Sequence, residues 1–240
     1  MGRLAVTGGH GILGTEFAAD ASRVDVDTIY GLAALLDAGS HVVIQRHGLD
    51  EFVSAPFINH RAHLRALADV GCDRILGVAS VGSLRRDLPV GTFVVPDDFI
   101  ALQLGISFSE GDDGHQSPGF DAVWRRTVTD RWAAHTDVPL RDGGVYWQAI
   151  GPRLETQAEI RLIAGHADLV GMTIASECVL AGELGLAYAS ICVVDNLANG
   201  VGDAPLTVEE FRAGAAANRA RLVRALDAVL PALSKEARSS

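Results

Sequence analysis

Residues 151 to 196 read GPRLETQAEIRLIAGHADLVGMTIASECVLAGELGLAYASICVVDN. The stretch opens on a Gly-Pro turn, and the Glu-Thr-Gln-Ala-Glu after it has the acid-rich first turn of a helix. A short apolar run from Asp168 to Met172 fits a buried strand. A helix from Ser176 to Leu184 follows, stopped by Gly185, and Tyr188 to Val194 forms a second apolar run. Strand, helix and strand within about thirty residues predict a parallel crossover unit. In such sheets a ligand crevice lies beyond the carboxyl ends of the strands. Met172-Thr173 and Asp195-Asn196 stand at those ends, with Glu155 just upstream. An acid, a hydroxyl and an amide are therefore expected in one pocket.

The chain has 240 residues and 48% hydrophobic content, enough for one large domain with a substantial core. Apolar runs alternate with helical patterns, which argues an α/β class. One domain is expected over residues 1–234, followed by a frayed tail at 235–240. A net charge of −10 speaks against nucleic acid or an anionic membrane as the main partner. There is no signal-like segment and no run of about twenty apolar residues, so a cytoplasmic protein is expected. Cys72, Cys178 and Cys192 lack paired or metal-type spacing and read as buried free thiols.

Leu4 to Thr7 is a strand that runs into Gly8-Gly9-His10-Gly11, a turn whose backbone N–H groups can approach an anion closely. It is not a dinucleotide fingerprint, because the glycine spacing and downstream acid are missing. By period, Ile29 to Leu36 could be helical. His41 to Gln45 reads as a buried strand ending in Arg46-His47-Gly48. Asn59 to Gly71 is an amphipathic helix, in which His60 and His63 read as structural or surface residues. Arg74 to Ala79 is a strand, and Ser80 to Leu84 the turn after it. Thr92 to Pro96 is a strand, residues 105–120 a long polar loop, Phe120 to Ala134 a helix, and Val145 to Ile150 a strand. Thr207 to Leu233 is a long amphipathic helix, interrupted or ended by Pro231.

These motifs resemble the purine nucleoside phosphorylase and methylthioadenosine phosphorylase family, of the trimeric type. There Gly-Pro-x-x-Glu-Thr, Gly-Met-(Ser/Thr) and a Thr-Asn or Thr-Asp pair recur in this order, matched here at Gly151 to Thr156, Gly171 to Thr173 and Asp195-Asn196. Arg46-His47-Gly48, the Gly82-Ser83-Leu84 turn and the Asp97 to Ile100 segment extend the resemblance over roughly residues 3 to 232. It implies a single-domain nucleoside phosphorylase-like fold, a mixed twisted β-sheet flanked by α-helices, with strands in place of a helix near residues 24–37. It also implies a homotrimer or a hexamer built from trimers, and a 105–120 loop near the active site of its own or a neighbouring subunit.

The implied reaction is phosphate-dependent cleavage of a purine nucleoside, with inorganic phosphate as co-substrate and no metal or organic cofactor. Breaking the glycosidic bond builds positive charge on the sugar and negative charge on the base, so a catalyst needs an anion under C1′ and hydrogen bonds to the base. By the resemblance, Gly9, His10, Arg46, His47, Ala79, Ser80 and Thr173 would cradle phosphate, Arg46 through its planar fork of donors. Met172, Glu155, Asn196, Ala198 and Val208 would hold the nucleoside, with Met172 beneath the ribose. Glu155 and Asn196 would carry base recognition and catalysis. A carboxylate accepts from N1–H of a 6-oxopurine, and an amide pairs with O6 and N7. The adenine-preferring branch has Ser and Asp at these positions. Val208, where the ordinary nucleoside branch has His, favours an apolar 5′ tail such as methylthio. Together these positions suggest inosine, guanosine or 5′-methylthioinosine.

Two departures keep rivals open. His10 stands where the family has Ser or Thr, and Leu49-Asp50-Glu51 stands where the family continues Arg-x-His. Both would weaken a dianion site. A methylthioadenosine phosphorylase remains an alternative, as does a phosphate-independent hydrolase with Asp50 or Glu51 as base. Outside enzymes, the alternative is a degenerate nucleoside-binding protein.

Overall fold

A computed structural model describes residues 2–236, except 13, 14, 16, 110, 112–114, 204 and 205. Most of the expected 235–240 tail thus lies outside the described residues. Eleven strands among the described residues form one mixed sheet. Its centre is β5 (Cys72–Ser83), twelve residues long and nearly all buried. On one edge β5 pairs in parallel with β1 (Arg3–Gly8), which pairs in turn with β4 (His41–Gln45). The meander closes with β2 (Ser22–Thr28) and β3 (Gly31–Asp37), an antiparallel hairpin. Residues 24–37 are thus strands, and the helical period over Ile29 to Leu36 does not set their structure. Pairing with neighbours, which is invisible to a local period, overrides it.

The other edge of β5 carries β11 (Ala187–Leu197) in parallel, and beyond it β6 (Phe93–Val95) and β8 (Leu140–Asp142). Past the end of β1, β10 (Leu169–Gly171) joins β5 antiparallel at Gly82 and Ser83 and continues to β9 (Val145–Gln148) and β7 (Asp98–Ile100). This corrects the expected parallel crossover. β10 and β11 lie on opposite edges of β5 and run in opposite directions, because the long central strand separates them. It also corrects the turn expected at Ser80 to Leu84, since β5 runs on through Ser83.

Successive strand residues point to opposite faces, and both faces are covered. One face packs Ala5, Ile75 and Tyr188 under α1 (His60–Asp69) and α4 (Ile174–Glu183). The other packs Leu4, Leu76, Ala189 and Ile191 under α2 (Ala122–His135) and α5 (Val208–Leu233). α3 (Gln157–Ile163) covers a smaller apolar cluster with Leu84, Val170 and Ala198. Its start matches the sequence closely: Thr156 and Glu159 form a reciprocal capping box. α5 has the same device in Thr207 and Glu210, and it passes through Pro231 to Leu233. α4 begins two residues earlier than expected, at Ile174, and Gly185 after it has φ +67. All three cysteines are buried and free. Among the described residues, no helix is long and apolar enough to cross a membrane.

Candidate active site

One cavity of about 260 Å³ gathers the strand ends. Every residue that the resemblance assigns to phosphate or nucleoside lines it: Gly9, His10, Arg46, His47, Ala79, Ser80, Glu155, Met172, Thr173, Asn196, Ala198 and Val208. They come from seven separate parts of the chain, and the sheet brings them together.

At one end the chain turns sharply after β1. A Cβ on Gly9 would stand 3.2 Å from both Arg46 Nη1 and His47 Nε2, so glycine lets the backbone press against the basic pair. The His47 Nδ1–H donates to the Val53 carbonyl at 2.8 Å, which leaves Nε2 towards the cavity. Burial, with Arg46 adding to it, pushes the His47 imidazole down to about 4. Burial also lowers His10, whose ring meets His47 edge-on at 4.6 Å. Both imidazoles are therefore neutral near pH 7.

Arg46 sits differently from expectation. Its fork of donors does not open into the cavity: Nε and Nη2 bond Glu177 at 2.8 and 3.0 Å, and Nη2 also reaches Thr7. Nη1 donates to the Val78 carbonyl at 2.7 Å, leaving one Nη1 N–H beside Gly9. Sequence reasoning missed Glu177. Its signal was a lone carboxylate among the buried residues Ile174, Ala175, Cys178, Leu180 and Ala181 of α4, where an unpaired charge would be costly. His60, buried on α1, places Nδ1 3.9 Å from the same carboxylate.

Thr173 is the N-cap of α4 but makes no capping hydrogen bond with its side chain, so its hydroxyl is not committed to the helix. The Tyr146 hydroxyl instead accepts from the Thr173 N–H at 3.1 Å, and Gln148 grips Ser176 from β9. Tyr146 and Gln148 are positioning groups that the sequence did not reveal.

At the other end stand Glu155 and Asn196. Asn199 anchors the Glu155 carbonyl at 3.1 Å, and burial raises the carboxyl above its ordinary range. Asn196 spends one Nδ2–H on the Leu197 carbonyl at 2.9 Å, keeping its other N–H and its Oδ1. A bulge in β11 between Val194 and Asn196 turns Asn196 into the cavity and Asp195 away from it. Asp195 accepts from Asn218 Nδ2 on α5 at 2.8 Å. The mouth is apolar, with Phe52, Leu206, Val208 and Phe211, and Arg212 beside them. Asp50 and Glu51 do not line it, and Asp50 is held on the surface by Arg23 at 2.8 and 3.0 Å. No described residue of the 105–120 loop lines it either. The lining combines polar groups at Gly9, His10, Arg46, His47, Ser80 and Thr173, apolar surface at Met172 and Ala198, and the acid and amide of Glu155 and Asn196.

The family model of the Phosphorylase superfamily matches residues 18–231. A probable 6-oxopurine nucleoside phosphorylase of Archaeoglobus fulgidus is 35% identical over 212 residues, 87% of each chain. A probable S-methyl-5′-thioinosine phosphorylase of Methanocaldococcus jannaschii is 35% identical over 219 residues, 86% of this chain and 83% of the relative. In fold, the chain is similar to the methylthioadenosine phosphorylase of Schistosoma mansoni solved with adenine, with a TM-score of 0.86 and 23% identity over 99% of this chain and 93% of that one. Cavity, fold and sequence agree: the chain belongs to the phosphorylase superfamily.

Proposed function

We propose that the chain is a purine nucleoside phosphorylase selective for 6-oxopurine bases. The observation that carries this reading is that Glu155 and Asn196 line one cavity together with Gly9, His10, Arg46, His47, Ser80 and Thr173. An oxygen of hydrogenphosphate attacks C1′, the C1′–N9 bond breaks, and its electron pair passes to the purine. The proton of hydrogenphosphate ends on the base, leaving free purine and sugar 1-phosphate. Glu155 accepts from N1–H, and Asn196 donates as negative charge grows on the base. Adenine lacks N1–H, so its lone pair would face the carboxylate, a mismatch that discriminates by powers of ten. The relatives named above both carry oxopurine names, which supports the base preference.

In this reading the chemistry needs no metal or organic cofactor, because phosphate itself is the anion beneath C1′. The apolar mouth at Val208, Leu206 and Phe211 favours a 5′-methylthio tail over a 5′-hydroxyl. The hydrolase alternative loses its base, since Asp50 and Glu51 lie off the cavity. We further propose a cytoplasmic homotrimer or a hexamer of trimers. The exposed Phe57, Leu102 and Ile150 are the apolar groups such an assembly would cover. The test is base release from inosine, guanosine, 5′-methylthioinosine, adenosine and 5′-methylthioadenosine, each with and without phosphate. Phosphate-dependent release confined to the oxopurines is the expected result. Release at equal rate without phosphate overturns the reading.

A further inference from the structure

Four basic side chains line the cavity: His10, Arg46, His47 and Arg212. The two imidazoles are neutral near pH 7, because burial holds both below their ordinary range. Arg46 is charged, but the Glu177 carboxylate lies within 2.8 Å of its Nε and cancels most of its field at ligand distance. Arg212 is different. It is exposed, and it has no ion pair or hydrogen bond with any described residue. It is the one uncompensated positive charge on the cavity wall among the described residues.

Its place in the fold points that charge to the oxyanion end. Arg212 lies one helical turn beyond Val208 on α5, so the two share a face of the helix. α5 runs along the glycine turn: the Phe211 ring meets the His10 ring at 5.3 Å, and Arg219 Nη2 donates to the His10 carbonyl at 3.3 Å. The charge of Arg212 is felt at His10, where it adds to the lowering of the imidazole. A long exposed guanidinium at a cavity mouth can follow a phosphate inward and bond it with two parallel donors.

We propose that Arg212 recruits and holds the phosphate co-substrate, completing the oxyanion site from α5. The proposal rests on the phosphorolytic reading above. Arg46 and the glycine turn then supply fixed hydrogen bonds, and Arg212 supplies the charge. A charged contact exposed to solvent is screened by salt, so phosphate affinity should fall as ionic strength rises.

The experiment measures initial rates of base release from inosine across phosphate concentrations at low and high salt, for the wild type, Arg212→Gln and Arg212→Lys. Calorimetric titration of inorganic phosphate into each protein, without nucleoside, accompanies the kinetics. Arg212→Gln should raise the phosphate KM about tenfold, as expected for loss of a charge-assisted contact. The nucleoside KM should change less than about twofold, and most of the salt dependence should vanish. Arg212→Lys should recover part of the loss. An unchanged phosphate KM in a folded Arg212→Gln protein overturns the proposal. So does a loss confined to the inosine KM, which would assign Arg212 to the nucleoside instead. If the wild type releases base without phosphate, the phosphorolytic reading fails, and calorimetry decides Arg212 separately. Phosphate heats present in the wild type and lost in Arg212→Gln would still support an anion contact, and equal heats would refute it.

Discussion

The carboxylate of Glu177 holds the guanidinium of Arg46 through two contacts, Oε1 to Nε at 2.8 Å and Oε2 to Nη2 at 3.0 Å. The hydroxyls of Thr7 and Tyr188 donate to the same Oε2, at 2.6 and 2.7 Å. Burial alone would raise this carboxyl, but Arg46 outweighs it and holds the group well below the usual carboxylate range. Removing one partner strands a buried charge, at a cost of about 3–5 kcal/mol. Glu177→Gln should destabilise the protein on that scale, and Arg46→Met added to it should cost much less than the sum of the single losses. Urea unfolding of the four proteins in a double-mutant cycle measures the coupling. Additive losses would show that the pair does not act as a unit.

In the proposed function, base choice follows from Asn196. With Asp in its place, the acceptor matches a 6-amino group and repels O6. Asn196→Asp should lower the inosine-to-adenosine ratio of kcat/KM by about two powers of ten. A ratio unchanged from the wild type would remove Asn196 from base recognition.

In the proposed function, the sugar tail is read by Val208. Val208→His offers a hydrogen bond to a 5′-hydroxyl and a poorer surface to a thioether. The preference for 5′-methylthioinosine over inosine should drop by about five- to tenfold, the scale of one modest hydrogen bond. Competition between the two substrates in one assay reads this ratio directly, and an unmoved ratio would place the 5′ group elsewhere.

Acid should weaken the fold before Glu177 titrates. Burial holds His60 at about 3 and His63 and His47 at about 4, against roughly 6.5 in an unfolded chain. Their folded values are depressed, so the unfolded chain binds the extra protons. Stability is then full above about pH 6.5 and is lost as pH falls towards 4. Glu177, also depressed, gives up its share only below the ordinary carboxylate range, so the two windows separate. Between pH 6 and 5, each histidine should contribute up to about 1.4 kcal/mol per pH unit. Urea unfolding at several pH values measures the slope, and His60→Asn should remove one histidine's share. A flat profile from pH 7 to 5 would contradict neutral burial.

Much of the site was legible because its parts are local. The Gly8-Gly9 turn after a strand, the basic pair after His41 to Gln45, and the Thr156 to Glu159 capping box each depend on neighbours a few residues away. Less legible was anything set by strand pairing. The run from Asp168 to Met172 was correctly a strand, yet its partner is the end of β5, antiparallel, and not β11. Arg46 was correctly placed on the cavity, but the residue that occupies its fork lies 131 positions away. Arg212 carried no local mark, because one Arg on a long helix reads as solvated surface until the helix is seen along the glycine turn.

The sequence by itself determined the α/β class, most helix and strand positions and, through its resemblance to a known family, twelve of the residues that line the cavity. Apolar periodicity, caps and turn residues act over short range and survive in any arrangement of the chain. The tertiary structure alone decided the order of the strands and the bulge that turns Asn196 inward and Asp195 outward. It also decided the division of charge between Arg46, bound to Glu177, and Arg212, left unpaired. These depend on contacts between distant segments, and the energy of a buried charge is set by the groups that surround it in space.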